Sequence, residues 1–192
     1  MSKLNIVLAS QSPRRKRLFE EAGLKFDVIV SYADEESVNE KGNAEHVRAI
    51  AKLKVDTVAE GMKNNSIVVG ADTMVIFNGK RIGKPKSVED AIKTLHMLSG
   101  KTHEVFTGVV MKNTKTGKEI SDYSRTLVTF RKLNEKEITE WANAPDCLTG
   151  AGSYTDKIHY LFFEKIEGSH TNVMGLPMEK VIPMLRKMGV DV

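Results

Sequence analysis

The sequence predicts an α/β fold, and three observations carry this prediction. Short apolar runs typical of buried strands recur along the chain, and segments with helical spacing of apolar residues lie between them. The pair Asn78-Gly79 directly follows one apolar run, and this pair is typical of a two-residue hairpin. Because a hairpin joins antiparallel strands, we expect the sheet to be mixed.

Clear local signals mark the first strand and the first helix. Residues 5–9 are an apolar run that predicts a buried strand. Ser12 can cap a helix and Pro13 suits its first position, while Gly23 suits a left-handed end.

The same two periodicities predict the later elements. We expect further strands at residues 26–30, 67–77, 105–111, 124–131 and 160–166. We expect further helices over residues 44–61, 87–100, from 134 onward and 178–188. The polar, acidic stretch 31–43 predicts a loop.

Composition excludes several classes of protein. The 192 residues carry 29 Lys+Arg against 25 Asp+Glu, a net charge of +4, with 41% apolar residues. No apolar run approaches the ~18 residues of a membrane span. Aromatic residues are only 6%, whereas a nucleic-acid binder of this size would usually show a denser Lys/Arg stripe with interleaved aromatics, although the charge alone decides little. The single Cys147 excludes an internal disulfide and a thiolate zinc cluster. We therefore expect one cytoplasmic domain over residues 1–192, with neither nucleic acid nor membrane as partner.

The start of the first helix suggests an anion site. Residues 14–17 are all basic, although cations are unfavourable at a helix N-terminus. Free backbone N–H groups, the hydroxyls of Ser10 and Ser12 and the cations of Arg14 and Arg15 would together cradle a phosphate. The alternative is a solvated basic face.

Carboxylates form the second unusual set. Asp72 interrupts an apolar strand, where an unpaired carboxylate is costly, and the small residues Gly70 and Ala71 before it leave room for a ligand. Glu35 lies in the acidic loop and could join Asp72 in an oxygen-ligand site for Mg²⁺ or Mn²⁺. The alternatives are a carboxylate that caps a loop amide at Asp72 and simple solvation at Glu35.

Two lysines could serve the same anion. Lys54 falls on the apolar stripe of its helix, seven residues after Val47, and Lys84 lies in a Gly-Lys-Pro turn just after the hairpin. Either could reach phosphate oxygens, and the alternative for Lys54 is a side chain that extends to solvent.

Several motifs, in order over nearly the whole chain, resemble those of the Maf family of nucleoside triphosphate pyrophosphatases. They are Leu8-Ala9-Ser10-Gln11-Ser12-Pro13-Arg14-Arg15, Gly70-Ala71-Asp72-Thr73, Gly83-Lys84-Pro85-Lys86, Leu98-Ser99-Gly100-Lys101-Thr102-His103, Thr107-Gly108-Val109, Ala151-Gly152-Ser153-Tyr154, Ile166-Glu167-Gly168-Ser169 and Val173-Met174-Gly175-Leu176-Pro177. The resemblance implies an elongated mixed sheet flanked by helices, with two lobes and a central cleft, related to the inosine-triphosphate pyrophosphatases. It also implies cleavage of a nucleoside triphosphate between its α and β phosphates, a divalent metal, a homodimer and a cytoplasmic location.

The resemblance also implies roles for residues at matching positions. Arg14 and Arg15 would grip the triphosphate, and Lys54 and Lys84 would neutralise it. Asp72 would act on the attacking water, as proton acceptor or through the metal, and Glu35 would help to hold that metal.

The same resemblance bears on the nucleobase. Arg14 and Thr73 resemble the subgroup that acts on dTTP and UTP, whereas Lys157 stands where that subgroup has glutamine. A lysine differs from glutamine in charge and reach, so the base preference stays open at this point, with a modified nucleotide as the other option.

Two classes of function therefore compete. The first is a metal-dependent nucleotide pyrophosphatase, and the second is a non-catalytic nucleotide- or nucleic-acid-binding regulator that uses the basic N-terminal cradle. The carboxylates of Asp72 and Glu35 favour the enzyme, because a simple binder of polyanions gains nothing from acids beside the phosphates.

Overall fold

The computed structural model describes residues 4–192, so the first three residues of the predicted domain lie outside the described part. In chain order the strands and helices are β1 (Asn5–Leu8), α1 (Pro13–Glu21), β2 (Asp27–Val28), α2 (Asn43–Glu60), β3 (Ser66–Phe77), β4 (Lys80–Ile82), α3 (Val88–Leu98), β5 (Thr102–Asn113), β6 (Glu119–Phe130), α4 (Glu135–Ala142), α5 (His159–Phe162), β7 (Phe163–Glu167), α6 (His170–Val173) and α7 (Met178–Lys187). Short 3-10 turns cover Glu35–Ser37, Cys147–Thr149, Ala151–Ser153 and Asp156–Ile158.

The strands within residues 4–192 form one mixed sheet, which confirms the predicted fold class. Its order is β2-β1-β3-β5-β6-β7, with β4 paired to β3 as a short extra strand. β1 runs parallel to β2 and β3, and the other pairs are antiparallel. The hairpin between β3 and β4 has φ of 49° at Asn78 and 73° at Gly79, as its sequence predicts.

The long strand β3 has an unpaired stretch on one side. β1 pairs with its first four residues and β4 with Val75, Ile76 and Phe77, while β5 runs along the other side without interruption. Among the described strands, residues 70–74 therefore pair with β5 only. We name this stretch the open edge of β3.

Two large apolar clusters divide the interior. One contains Phe19 of α1 and Leu185 of α7, and the other contains Leu95 of α3 and Phe130 of β6. β3 and β5 pass through both clusters, and between them each strand places a threonine, Thr73 and Thr107, on the shared face. This polar layer separates the two lobes that the resemblance implies.

Helix α2 packs unusually close to the sheet at two glycines. A Cβ added at Gly70 would lie 2.7 Å from the carbonyl oxygen of Ala51, and one at Gly108 would lie 2.5 Å from the carbonyl carbon of Val47. Both contacts are with helix backbone, so only glycine admits the helix at this depth. The prediction that Gly70 leaves room for a ligand was wrong, because the helix fills that space.

Two further predictions need correction. The strand predicted at residues 160–166 begins as the helical turn α5, and only its second half forms β7. Arg131 holds this turn, because its Nε donates to the carbonyl of Leu161 and its backbone N–H to that of Phe162. The strand predicted at residues 26–30 has only two residues, Asp27 and Val28, which pair with Val7 and Leu8 at the end of β1.

The buried polar and sulfur groups of the second cluster have structural roles. His103 is fully buried and its Nε2 lies 2.8 Å from the hydroxyl of Tyr154. Burial lowers the pKa of His103 to about 4. Cys147 is buried as a packing residue, and burial raises the pKa of its thiol to about 11. Among residues 4–192, no helix has both the length and the apolar character required to cross a bilayer.

Candidate functional site at the open edge of β3

The N-terminus of α1 positions the first group of site residues. The Ser12 hydroxyl caps the helix by accepting from the backbone N–H of Arg15, and Pro13 occupies the first helical position. The Ser10 hydroxyl accepts from the backbone N–H of Ser12 at 3.1 Å and from Nη1 of Arg15 at 3.3 Å. The two predicted serines thus hold the turn and the arginine together.

The guanidinium of Arg15 is fixed by three acceptors. Besides the Ser10 contact, its Nε donates to the carbonyl of Gly175 at 2.7 Å and its Nη2 to the hydroxyl of Thr73 at 3.0 Å. The Thr73 hydroxyl also lies 3.0 Å from the hydroxyl of Thr107. Thr73 is therefore turned toward Arg15 and the polar layer.

A second group of three residues lies against the other face of β3. The ammonium of Lys54 is 2.9 Å from Oδ1 of Asp72 and 3.1 Å from Oε1 of Glu35. Lys54 and Asp72 are largely buried, whereas the side chain of Glu35 is 49% exposed. The predicted inward position of Lys54 is confirmed, and its ammonium pairs with the unusual strand carboxylate instead of extending to solvent.

β3 brings the two groups together. Asp72 and Thr73 are consecutive residues in the strand, so their side chains leave on opposite faces at the same point of the open edge. Burial lowers the pKa of Arg15, and the charge of Arg14 lowers it further, while the carboxylates of Asp72 and Glu35 oppose both effects. A partly desolvated cation with fixed donors is a preorganised site for an anion.

Two more predicted residues contact the segment 146–149. Nη2 of Arg14 lies 3.5 Å from the carbonyl of Thr149, and the Lys157 ammonium forms an exposed ion pair with Asp146. Arg14, at the start of α1, thus contacts the same short segment that forms an ion pair with Lys157.

Lys84 is the predicted site residue with the fewest contacts. It is exposed, and none of the ion pairs within residues 4–192 includes it. Its loop is nevertheless anchored, because the backbone N–H of Gly152 donates to the carbonyl of Gly83 at 3.1 Å. The loop directly follows β4, which borders the open edge.

The donor set fits a divalent cation that arrives with phosphate. Carboxylate oxygens of Asp72 and Glu35 converge on one cation, the ammonium of Lys54. Within residues 4–192 no group of three or more His, Cys, Asp or Glu residues could hold a metal ion by itself. Mg²⁺ is commonly bound by one or two carboxylates together with substrate phosphates and water, and two carboxylates are what this site offers.

Several residues that shape the site have no functional signal in the sequence that identifies them. Thr107 and Asn172 are buried in the polar layer beside Thr73. Nη2 of Arg81 donates to the carbonyls of Glu40 and Lys41, which fixes the end of the loop that carries Glu35. A threonine within an apolar strand was the available signal for Thr107, but only strand register shows that it lies opposite Thr73.

Comparisons with known proteins agree with this architecture. A family profile described as Maf-like protein matches residues 5–188. A protein of Thermoanaerobacter sp. strain X514 named dTTP/UTP pyrophosphatase is 39% identical over 185 residues, 96% of each chain. One from Clostridium tetani with the same name is 40% identical over 191 residues, 98% of this chain and 100% of the relative.

A solved structure extends the comparison to the fold. The Staphylococcus aureus Ham1 protein matches with a TM-score of 0.53 at 16% identity, over 96% of this chain and 99% of that one. This likeness concerns the fold alone. The family match and the identities over nearly full length place the chain itself in the Maf family.

Proposed function

We propose that this chain hydrolyses a nucleoside triphosphate between its α and β phosphates and releases a nucleoside monophosphate and pyrophosphate. One observation carries the proposal. Two adjacent residues of the open edge of β3 hold opposite charges: Thr73 accepts a hydrogen bond from the anchored guanidinium of Arg15, and Asp72 carries the carboxylate that pairs with Lys54. Relatives that are 39% and 40% identical are named dTTP/UTP pyrophosphatase, which supports the same activity.

The cations of the site would hold the polyphosphate. Phosphoryl chemistry depends mainly on positioning and charge neutralisation. Arg14 and Arg15 would contact phosphate oxygens at the start of α1, while Lys84 would close on them from the loop after β4. Lys54 would exchange one of its carboxylate partners for a phosphate oxygen.

The carboxylate of Asp72 would take the proton. In this scheme a water oxygen adds to the α-phosphorus, the bond from that phosphorus to the bridging oxygen breaks, and pyrophosphate leaves with the bridging oxygen. Asp72 accepts the proton of the water, as general bases do in such steps. A divalent metal, when bound by Asp72 and Glu35, would add charge neutralisation at the phosphates.

The proposed substrate is dTTP, UTP or a modified nucleotide. The names of the relatives support the pyrimidine nucleotides, and we infer that the base would extend from the phosphates toward the segment that Arg14 and Lys157 both contact. The family likeness is also the ground for proposing a single domain, a homodimer and a cytoplasmic location.

The decisive experiment measures pyrophosphate release from dTTP, UTP, CTP, GTP and modified nucleotides, with and without Mg²⁺ or Mn²⁺. Asp72→Asn should lower kcat by about 10²–10⁴-fold because it removes the proton acceptor, with an unchanged far-UV circular dichroism spectrum. Asp122→Asn, which alters an exposed ion pair with Lys180, is the matched control and should keep full activity.

Two outcomes would contradict the proposal. Near-normal turnover by Asp72→Asn would refute its role as proton acceptor. Tight nucleotide binding without pyrophosphate release, under every metal condition, would instead favour the non-catalytic regulator.

A further inference from the structure

A row of buried hydroxyls crosses the sheet behind Arg15. Thr73 and Thr107 are register partners on β3 and β5, and their hydroxyl oxygens lie 3.0 Å apart. Thr107 is completely buried, and its hydroxyl lies 3.1 Å from the backbone carbonyl of Asn172. The row lies between the two apolar clusters.

A backbone carbonyl lies at each end of the row: that of Asn172 is 3.1 Å from the Thr107 hydroxyl, and that of Gly175 is 3.4 Å from the Thr73 hydroxyl. A backbone carbonyl can only accept, so the Thr107 hydroxyl donates to Asn172. Thr107 has no second hydrogen, so in this arrangement Thr73 donates to Thr107 at 3.0 Å, the shorter of the two contacts open to its hydrogen. The remaining lone pairs of Thr73 then face the guanidinium of Arg15, which donates at 3.0 Å. Hydrogen bonds that are aligned in this way strengthen one another.

The far end of the row is anchored on two strands. Nδ2 of Asn172 donates to the carbonyl of Val105 at 3.0 Å and to the hydroxyl of Thr126 at 2.9 Å. The same turn returns to the site, because the backbone N–H of Gly175 donates to the carbonyl of Asn172 while the carbonyl of Gly175 accepts from Arg15. The guanidinium thus contacts Gly175 at one end of this anchored loop directly and is linked to Asn172 at the other end through Thr73 and Thr107.

We propose that Thr107 is a positioning residue for Arg15, acting through Thr73 and anchored on the Asn172 turn. Arg15 has five N–H donors, and in the described part of the chain three of them go to Ser10, Thr73 and Gly175. Two donors remain for phosphate oxygens, and the row keeps them in a fixed direction. This inference rests on the proposed function for its ligand, a polyphosphate.

The test compares three variants by calorimetric binding of inorganic tripolyphosphate and by steady-state kinetics. Thr107→Val keeps the shape of the side chain and removes the hydroxyl, so we expect about 10–100-fold weaker tripolyphosphate binding and a rise in KM that exceeds the fall in kcat. Thr107→Ser restores the hydroxyl and should bind within about threefold of the unaltered protein. Thr102→Val removes a hydroxyl from the same strand outside the row, where it contacts Thr129, and should bind normally.

A double variant separates positioning from general loosening. In the background of Arg15→Met, Thr107→Val should cause no further loss of tripolyphosphate affinity, because the residue through which it acts is gone. Equal affinities for Thr107→Val and the unaltered protein, or a lower melting temperature with unchanged affinity, would overturn the inference. Weaker tripolyphosphate binding by Thr107→Val in a protein that turns over no nucleotide would support the positioning role and refute only the proposed hydrolysis.

Discussion

Replacing Gly108 by alanine should push helix α2 away from the sheet. The added Cβ would lie 2.5 Å from the carbonyl carbon of Val47 and 2.6 Å from the backbone nitrogen of Arg48. These are backbone atoms in the middle of a helix, so no side-chain rotation can relieve the contact. α2 must move outward as a whole, and it carries Lys54 with it.

The size of the effect follows from the kind of contact. Overpacking of a core costs roughly 1–3 kcal/mol, and a clash with helix backbone belongs at the upper end, about 3 kcal/mol. At about 2–4 °C per kcal/mol for a chain of this length, the melting temperature should fall by about 6–12 °C. Thermal unfolding followed by circular dichroism measures this directly, and urea unfolding gives the free energy.

Gly61→Ala is the matched control. Gly61 lies at the end of the same helix with φ of −83°, and an added Cβ would meet nothing closer than 3.7 Å. Its substitution should change the free energy of unfolding by no more than about 0.5 kcal/mol. A melting temperature for Gly108→Ala equal to that of Gly61→Ala would refute the claim that glycine admits the helix.

Two further predictions concern the charged groups. Lys54→Met removes the ammonium between Asp72 and Glu35, so Mn²⁺ binding without nucleotide should become about tenfold tighter or more by calorimetry; unchanged Mn²⁺ affinity would contradict the pairing. The pKa of His103 is about 4 in the folded protein, against 6.5 in the unfolded chain. The contribution of this group to the free energy of unfolding is therefore complete above pH 6.5. It falls by about 3 kcal/mol as the pH falls from 6.5 toward 4. His103→Gln should flatten the urea-derived stability profile over that range, and an identical profile in both proteins would show that another group titrates.

Local chemistry explains which parts of the fold could be predicted from sequence. Ser12 and Pro13 each act within one turn of the chain, and the helix they predict is present. The Asn78-Gly79 hairpin is equally local. Residues 160–166 read as a strand on their own, yet a contact from Arg131, remote in sequence, holds the first half as a helical turn. Non-local hydrogen bonds of this kind leave no periodic signal.

The same distinction applies to the site. Asp72 stands out because a carboxylate within an apolar run needs a partner, and Lys54 stands out because it falls on the apolar stripe of a helix; the structure joins them at 2.9 Å. Thr107 does not stand out in the sequence as Asp72 and Lys54 do, because threonine is common in strands. Its contact with Thr73 depends on the register of β3 against β5, and register is set by the whole sheet.

Because Asp72 and Thr73 are adjacent in β3, the face on which each side chain lies depends on whether the number of strand residues before it is odd or even. Deleting a single residue from the first half of β3 would invert every later side chain, so that the acid would face Arg15 and the hydroxyl would face α2. Such a chain would still contain every charged residue named above, yet the acid would neutralise Arg15 and Lys54 would lose its partner in the strand, so the anchored guanidinium would no longer be available to a phosphate. Alignments of related chains should therefore show insertions and deletions in the loops before and after β3. They should show none in the part of β3 that pairs with β1 or in the open edge that follows it.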